Sequence, residues 1–543
     1  MAEQSDRPVV ETTYGKLRGA LAGCEVGNRR PSQSAGCEVG NRRPSHGVSA
    51  FKGIAYGAST AGRNRFMPPP KPASWAGICD ALTYVGRAPQ APSMAQRPEL
   101  ANLSGPPDTT PEGEDCLTLN VWSPKLGAAA KRPVMVWFHG GAFSYGSANS
   151  ARLNGSILAG RQDVVVVTVN QRLNILAHLH LADIGGTDFA QSGNAGTLDM
   201  LAALQWVRDN ISGFGGDAGN VTIFGHSGGG GKVSTLLAMP SAKGLFHRAI
   251  IMSGSVVRLI ERERAAKLAD AVLAELGLVK TQLGELQAMP FQRLIGAIAP
   301  AQKRIGPTNY PLLDRYDFGP VVDGHILPGQ PFDPKAPDIS RDIPVMIGDT
   351  KDEAAIFLAP DGKVWNRTLT EAELHERVAR VAGAATDRIL DYYKRLDPQA
   401  NAAARLITTL TGSNFRIRTL LQAERLATRG GAPTWVYSFD WETPVFGGRL
   451  KAYHALDVPF VFDTLDVVGA TDGSPAAYDL ANRISTAWAT FARTGQPNHP
   501  ALPNWPAYTT VDRATMVLDA SCRVVNDEGG ERRRLWTDAL RIA

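Results

Sequence analysis

Cysteine is scarce in this 543-residue sequence: five residues (Cys24, Cys37, Cys79, Cys116 and Cys522), with no C-x-x-C spacing. An odd, sparse set of this kind is no disulfide framework, and it gives no support to a zinc site. Long apolar runs are also missing. The strongest, VVVVTV at 164–169, is far short of the ~18 residues a membrane span needs. The first 13 residues, MAEQSDRPVVETT, contain no apolar core of a signal peptide. The expectation is a soluble cytoplasmic protein with no membrane contact. Neither sign of charge dominates: 57 Lys and Arg against 52 Asp and Glu give a net charge of +5. The basic residues are scattered, so there is no nucleic-acid footprint. With 43% hydrophobic and 20% charged residues, disordered, collagen-like and coiled-coil classes are excluded.

Length alone allows about three to four average domains, but large α/β enzymes often exceed that as one unit. The order of elements favours one domain over 1–543. Apolar, β-branched runs at 117–122, 133–140, 163–170, 220–225, 247–255, 343–349 and 434–441 read as strands. Between them, 196–211 and 230–239 carry helical spacing. Strand–helix–strand alternation predicts an α/β fold with a mostly parallel sheet and helices on both faces. Residues 258–342 are more helical and Pro-rich, which suits an inserted cap. One internal repeat interrupts the pattern: AGCEVGNRRPS occupies 22–32 and recurs at 35–45. Two polar copies cannot stack as a solenoid. The segment reads as a duplicated surface loop between two neighbouring edge strands, with Arg29, Arg30, Arg42 and Arg43 available as a contact patch.

The residues that carry chemistry begin with Gly225-His226-Ser227-Gly228-Gly229, a G-x-S-x-G motif. Alone the motif is weak; here a strand enters it and an apolar helix leaves. That context predicts a sharp turn with an exposed Ser227 hydroxyl, and glycines where a Cβ would clash. A serine of this type needs a histidine, with the chain order Ser, acid, His. Of the five histidines that follow, His247, His325, His375 and His499 fit poorly by order or placement. His454, in a loop before an apolar run, fits best. The acid should sit just past a strand end, where Asp349, Asp352 and Glu353 all stand. Topology favours Asp349, but the residues alone do not separate the three from one another, and the plain alternative is that all three are solvated loop charges. At the end of another strand, His139-Gly140-Gly141-Ala142 supplies small residues whose N–H groups can reach a reacting carbonyl. Gly141, Ala142 and Gly228 together would make a three-donor oxyanion hole. Phe143, next along, is a candidate for the pocket wall or for the core. No metal or cofactor is required by this chemistry.

Taken together, FKGIAYG, RFMPPPKPASWAG, EDCLTLNVW, VMVWFHGGAF, the long run from GNAGTLDM to GHSGGG, FHRAIIMSGS, GDTKDEAAIF and WATFARTGQPN resemble the type-B carboxylesterase and cholinesterase family over nearly the whole chain. The resemblance implies an α/β-hydrolase fold and a serine esterase of small-molecule esters. It makes Ser227 the nucleophile, His454 the base and Glu353 the acid, against the topological preference for Asp349. It also implies that Ser253 is a second serine near the acid–histidine pair. Three departures stand out. His226 replaces the usual glutamate before the nucleophile, Gly228 replaces the usual alanine after it, and Ala88 stands where a cysteine would pair with Cys116. No tryptophan lies between Gln90 and Glu114 to receive a choline group. A general bacterial-type carboxylesterase fits better than a cholinesterase. The same machinery would also suit carbamates, amides or thioesters. A silent adhesion-type relative would have lost the serine or histidine that this chain keeps.

Overall fold

The computed structural model describes residues 7–22, 47–91, 97–307 and 318–540. The duplicated segment from position 23 onward, with its four arginines and Cys24 and Cys37, lies outside the described residues.

Among the described residues, eleven strands form the central sheet: β1 (Ala20–Leu21), β2 (Ser49–Ala55), β3 (Thr118–Ser123), β4 (Arg132–Phe138), β5 (Val165–Val169), β6 (Gly216–His226), β7 (Arg248–Met252), β8 (Val345–Thr350), β9 (Thr434–Phe439), β10 (Thr515–Leu518) and β11 (Arg523–Val525). Their spatial order is β11-β10-β9-β8-β7-β6-β4-β5-β3-β2-β1. The run from β10 to β5 is parallel throughout. The flanking strands β11, β3, β2 and β1 run antiparallel to their neighbours. The two edge strands read on either side of the duplication pair as Ala20 with Ala50 and Leu21 with Ser49.

The β-branched runs form strands because both faces of the sheet are covered. Alternate residues feed opposite cores: Val165, Val167 and Val169 join one apolar cluster, Val164 and Val166 the other. In β4, Val134, Val136 and Phe138 face one side, Met135 and Trp137 the other. Helix α1 (Ala195–Asn210) buries Met200, Leu204 and Val207 against the first of these cores. Helix α2 (Gly228–Leu237) is buried along its whole length. The chain lays down β5 on one side of β4 and then β6 on the other. This reversal makes the carboxyl ends of β4 and β6 a topological switch point, where open α/β sheets place their ligands.

Residues 258–342 contain α3 (Arg262–Leu276), Leu283–Ala288 and α4 (Phe291–Ile305). A short parallel pair, Ile260–Glu261 with Val321–Val322, accompanies them. These helices build a third apolar cluster with Phe66, Ile175 and Leu176. A second helical stretch lies further along, and of it the charged run at 371–380 around His375 reads from sequence as a solvated helix face. Between β8 and β9 the chain forms α5 (Glu371–Ala382), α6 (Thr386–Leu396), α7 (Ala402–Thr411) and α8 (Ile417–Arg429). Its sequence signal was present: Thr370 and Glu373 form a reciprocal capping box at the start of α5.

Past the end of β5, Arg172 meets Asp199 of α1 through two side-chain hydrogen bonds, at 2.8 and 2.6 Å. Both groups are buried. Removing one partner from such a pair strands the other charge in the interior, at a cost of about 3–5 kcal/mol. Asp199→Ala is therefore expected to lower unfolding free energy by about that amount. Urea denaturation measures it, and the apolar pair Arg172→Met/Asp199→Leu is expected to recover most of the loss.

Candidate active site

Ser227 lies between β6 and α2 with φ 57° and ψ −124°. A non-glycine residue there carries about 1–3 kcal/mol of backbone strain. Its N–H donates to the Met252 carbonyl (2.8 Å), and its own carbonyl accepts from Gly231 N–H (3.0 Å). The turn is possible because backbones touch around it. A Cβ on Gly229 would stand 2.0 Å from the Phe138 carbonyl oxygen, and one on Gly228 1.9 Å from that of Ala142. The second contact gives a physical reason for glycine at 228.

The loop after β4 lies directly against this turn: a Cβ on Gly140 would be 3.4 Å from Ser227 Cβ. Gly141 (φ 92°) and Ala142 (φ 54°) both adopt left-handed backbone. The far side of the loop is anchored by Gln90, whose Oε1 accepts from Gly146 N–H (2.7 Å), and by Asn174 N–H, which donates to the Phe143 carbonyl (2.7 Å). The Phe143 ring is buried, edge-on to His178 at 5.6 Å between ring centres.

His454 Nδ1 is hydrogen-bonded to Glu353 Oε2. The other carboxylate oxygen, Oε1, accepts from Thr350 N–H at 2.8 Å. The His454 ring packs 4.4 Å from His226, the residue before Ser227, and 5.0 and 5.1 Å from Phe357 and Phe415. Phe415 sits on a π-helical turn, Gly412–Arg416, a distortion that often marks functional sites. The other four histidines lie elsewhere in hydrogen-bonding terms. His247 accepts from Val221 N–H and His499 bonds the Arg483 carbonyl. His375 pairs with Asp387 on the surface, and His325 is exposed.

The three acid candidates are all buried, so none is a solvated loop charge. Asp349 faces Arg416 Nη2 at 2.8 Å, and Asp352 lies 3.9 Å from Lys451 Nζ. Of the three, Glu353 is the one whose carboxylate meets His454. Burial pushes Asp349 up to about 7 despite Arg416, with Glu353 adding to the rise. Burial likewise lifts Asp352 to about 6. A further buried acid, Asp457, was not anticipated. It accepts from Tyr437 Oη at 3.2 Å and is pushed up to about 8 by burial and then by the charge of Glu353. His226 is held well below the usual histidine range by burial, then by His454 and Arg152. Its place beside the turn is therefore neutral, where the resemblance would have set a carboxylate. Ser253 has φ 51°, donates its N–H to the Gly348 carbonyl (2.7 Å), and its Oγ has no hydrogen-bond partner among the described residues. Its neighbour Gly254 abuts the Ser227 carbonyl. Cys116 is a buried free thiol.

A large, mostly parallel sheet flanked by helices, with a strained serine in the tight turn from β6 into α2, is the architecture of an α/β-hydrolase. A sequence model of the carboxylesterase family matches residues 6–536, and the chain belongs to that family. It is 36% identical over 530 residues to para-nitrobenzyl esterase of Bacillus subtilis (strain 168), covering 97% of this chain and 98% of that protein. Phenmedipham hydrolase of Pseudarthrobacter oxydans is 31% identical, with 97% and 96% covered. Among solved structures, the Geobacillus stearothermophilus carboxylesterase EST55 superimposes with a TM-score of 0.78 at 37% identity, covering 98% of this chain and 100% of that one. The protein is a carboxylic-ester hydrolase. Among the described residues, no helix is long and apolar enough to cross a membrane.

The carboxyl group of Asp457 is the basis of a stability test. Its folded value lies above the unfolded one, near 4, so it stabilises the fold below that value and progressively less as pH rises toward about 8. Asp457→Asn keeps the acceptor for Tyr437 and removes the titration. Its unfolding free energy, relative to wild type, is expected to rise between pH 5 and 8 by up to about 1 kcal/mol per unit. Denaturant titrations at the two pH values check this.

Proposed function

We propose that Ser227, His454 and Glu353 act as one catalytic unit that hydrolyses carboxylic esters through an acyl-enzyme. His454 takes the Ser227 proton as Oγ attacks the ester carbonyl carbon. The tetrahedral oxyanion accepts hydrogen bonds from the N–H groups of Gly141, Ala142 and Gly228. Collapse breaks the bond to the alcohol oxygen, which leaves with the proton from His454, and the acyl group stays on Ser227. A water molecule then gives a proton to His454 and attacks the acyl carbon; the bond to Ser227 Oγ breaks, Oγ takes the proton back from His454, and the acid leaves. Glu353 holds the Nδ1–H tautomer of His454 and stabilises the imidazolium. Ser253 and His226 support this unit from either side, Ser253 next to the turn and His226 against the His454 ring.

The observation that carries the reading is the buried hydrogen bond from His454 Nδ1 to Glu353, on a ring packed against the residue that precedes Ser227. Substrates are read as small, uncharged esters. Phe357 and Phe415 stack at 6.0 Å and 9° beside His454, an apolar wall. No carboxylate stands at position 226 to attract a cationic group.

Ser227→Ala is expected to reduce kcat for p-nitrophenyl butyrate by at least about 10⁴-fold with unchanged circular dichroism; retained turnover contradicts the assignment. Glu353→Gln is expected to lower kcat at least tenfold more than Asp349→Asn in the same assay, roughly as tautomer control requires. The opposite ranking transfers the acid's role to Asp349.

A further inference from the structure

Helix α2 contains one charged residue, Lys232, and the fold buries it to 1% exposure one turn behind Ser227. Its Nζ donates to the His139 carbonyl at 2.9 Å, at the root of the loop that carries Gly141 and Ala142. Gln171 completes the arrangement. With its Nε2 donating to the Val169 carbonyl (3.3 Å), its Oε1 accepts from Lys232 Nζ at 2.9 Å and lies 2.9 Å from His139 Nε2. The reversed amide would set oxygen against oxygen and donor against donor. Among the described residues no carboxylate pairs with Lys232. The groups that face it are His139 and, across the Phe143 ring at 6.0 Å, His178; burial keeps both neutral, His178 down to about 3. Burial also lowers Lys232 itself, to about 7.

An amine buried without a counter-ion costs stability. Departures of this kind from folding rules occur where a site requires them. We propose that Lys232 is a positioning residue of the oxyanion hole: its amino group grips the His139 carbonyl from behind and so fixes the peptides whose N–H groups at Gly141 and Ala142 face the reacting carbonyl. This rests on reading those amides as the oxyanion donors.

Lys232→Met and Lys232→Gln test it. The methionine variant is expected to melt at or above the wild-type temperature, because an uncompensated polar group has been removed. Its kcat for p-nitrophenyl butyrate is expected to fall about 10–100-fold, somewhat less than deletion of a donor itself, with KM within threefold. The affinity for a trifluoromethyl ketone, which binds as a tetrahedral oxyanion, is expected to fall by the same factor. Glutamine keeps an N–H donor and is expected to lose roughly three- to tenfold in both quantities. A space-filling role predicts the opposite order, since methionine fills an apolar site better than glutamine. Wild-type kcat in Lys232→Met, a loss confined to KM, or a greater loss with glutamine than with methionine overturns the proposal. Should Lys232→Met fail to fold, unequal or absent losses in the glutamine variant overturn it. Ser227→Ala measured alongside separates the two claims. Turnover without Ser227 sinks the site reading, whereas Ser227-dependent turnover with an unaffected Lys232 variant sinks only the role of Lys232.

Discussion

The turn at Ser227 constrains everything around it. A serine at φ 57° and ψ −124° is stable only if its neighbours leave the chain no easier path, and here three backbones close on it. Gly229 of α2 rests on the carbonyl of Phe138 at the end of β4, Gly228 on that of Ala142, and Gly254 on that of Ser227 itself. These contacts need strands β6, β7 and β4 side by side, which is the order of the sheet. They also need glycine at the touching positions. The poor helix propensity of four consecutive glycines at the start of α2 is offset by burial of the helix along its length.

Electrostatics in the same region follow from burial. Three carboxyl groups, on Glu353, Asp349 and Asp457, share a space that water does not reach. Like charges in such a place cannot all ionise cheaply, and both aspartates are pushed toward their neutral forms. Hydrogen bonding distinguishes the glutamate: it accepts from a backbone N–H and from the imidazole. Asp349, nearer in sequence to the strand, is turned to Arg416. A rule that looks just past a strand end pointed to it, but β8 runs on to Thr350 and leaves Asp349 inside the strand.

What was legible beforehand was whatever rests on local pattern. The valine-rich β5 and the run through β6 into α2 were readable because both sheet faces are apolar and the turn needs small residues. His454 was accessible from chain order and loop placement. The choice among Asp349, Asp352 and Glu353 was legible only through the family resemblance, because it depends on which side chain turns toward a residue about a hundred positions away. Of helices α5 to α8, only the charged run around His375 in α5 was readable as helix, although Thr370 and Glu373 also mark its start. Lys232 left a faint signal, a lone cation in an apolar helix. Gln171 and Asp457 left none, because their importance comes from tertiary packing alone.

The central claim is that the hydroxyl of Ser227 becomes acylated. A fluorophosphonate that reacts with activated serines tests this most directly, with intact mass and peptide mapping as the readout. The account predicts one equivalent of label on Ser227, with activity lost in step with labelling. A label on Ser253 or another residue, or loss of activity without modification of Ser227, contradicts it.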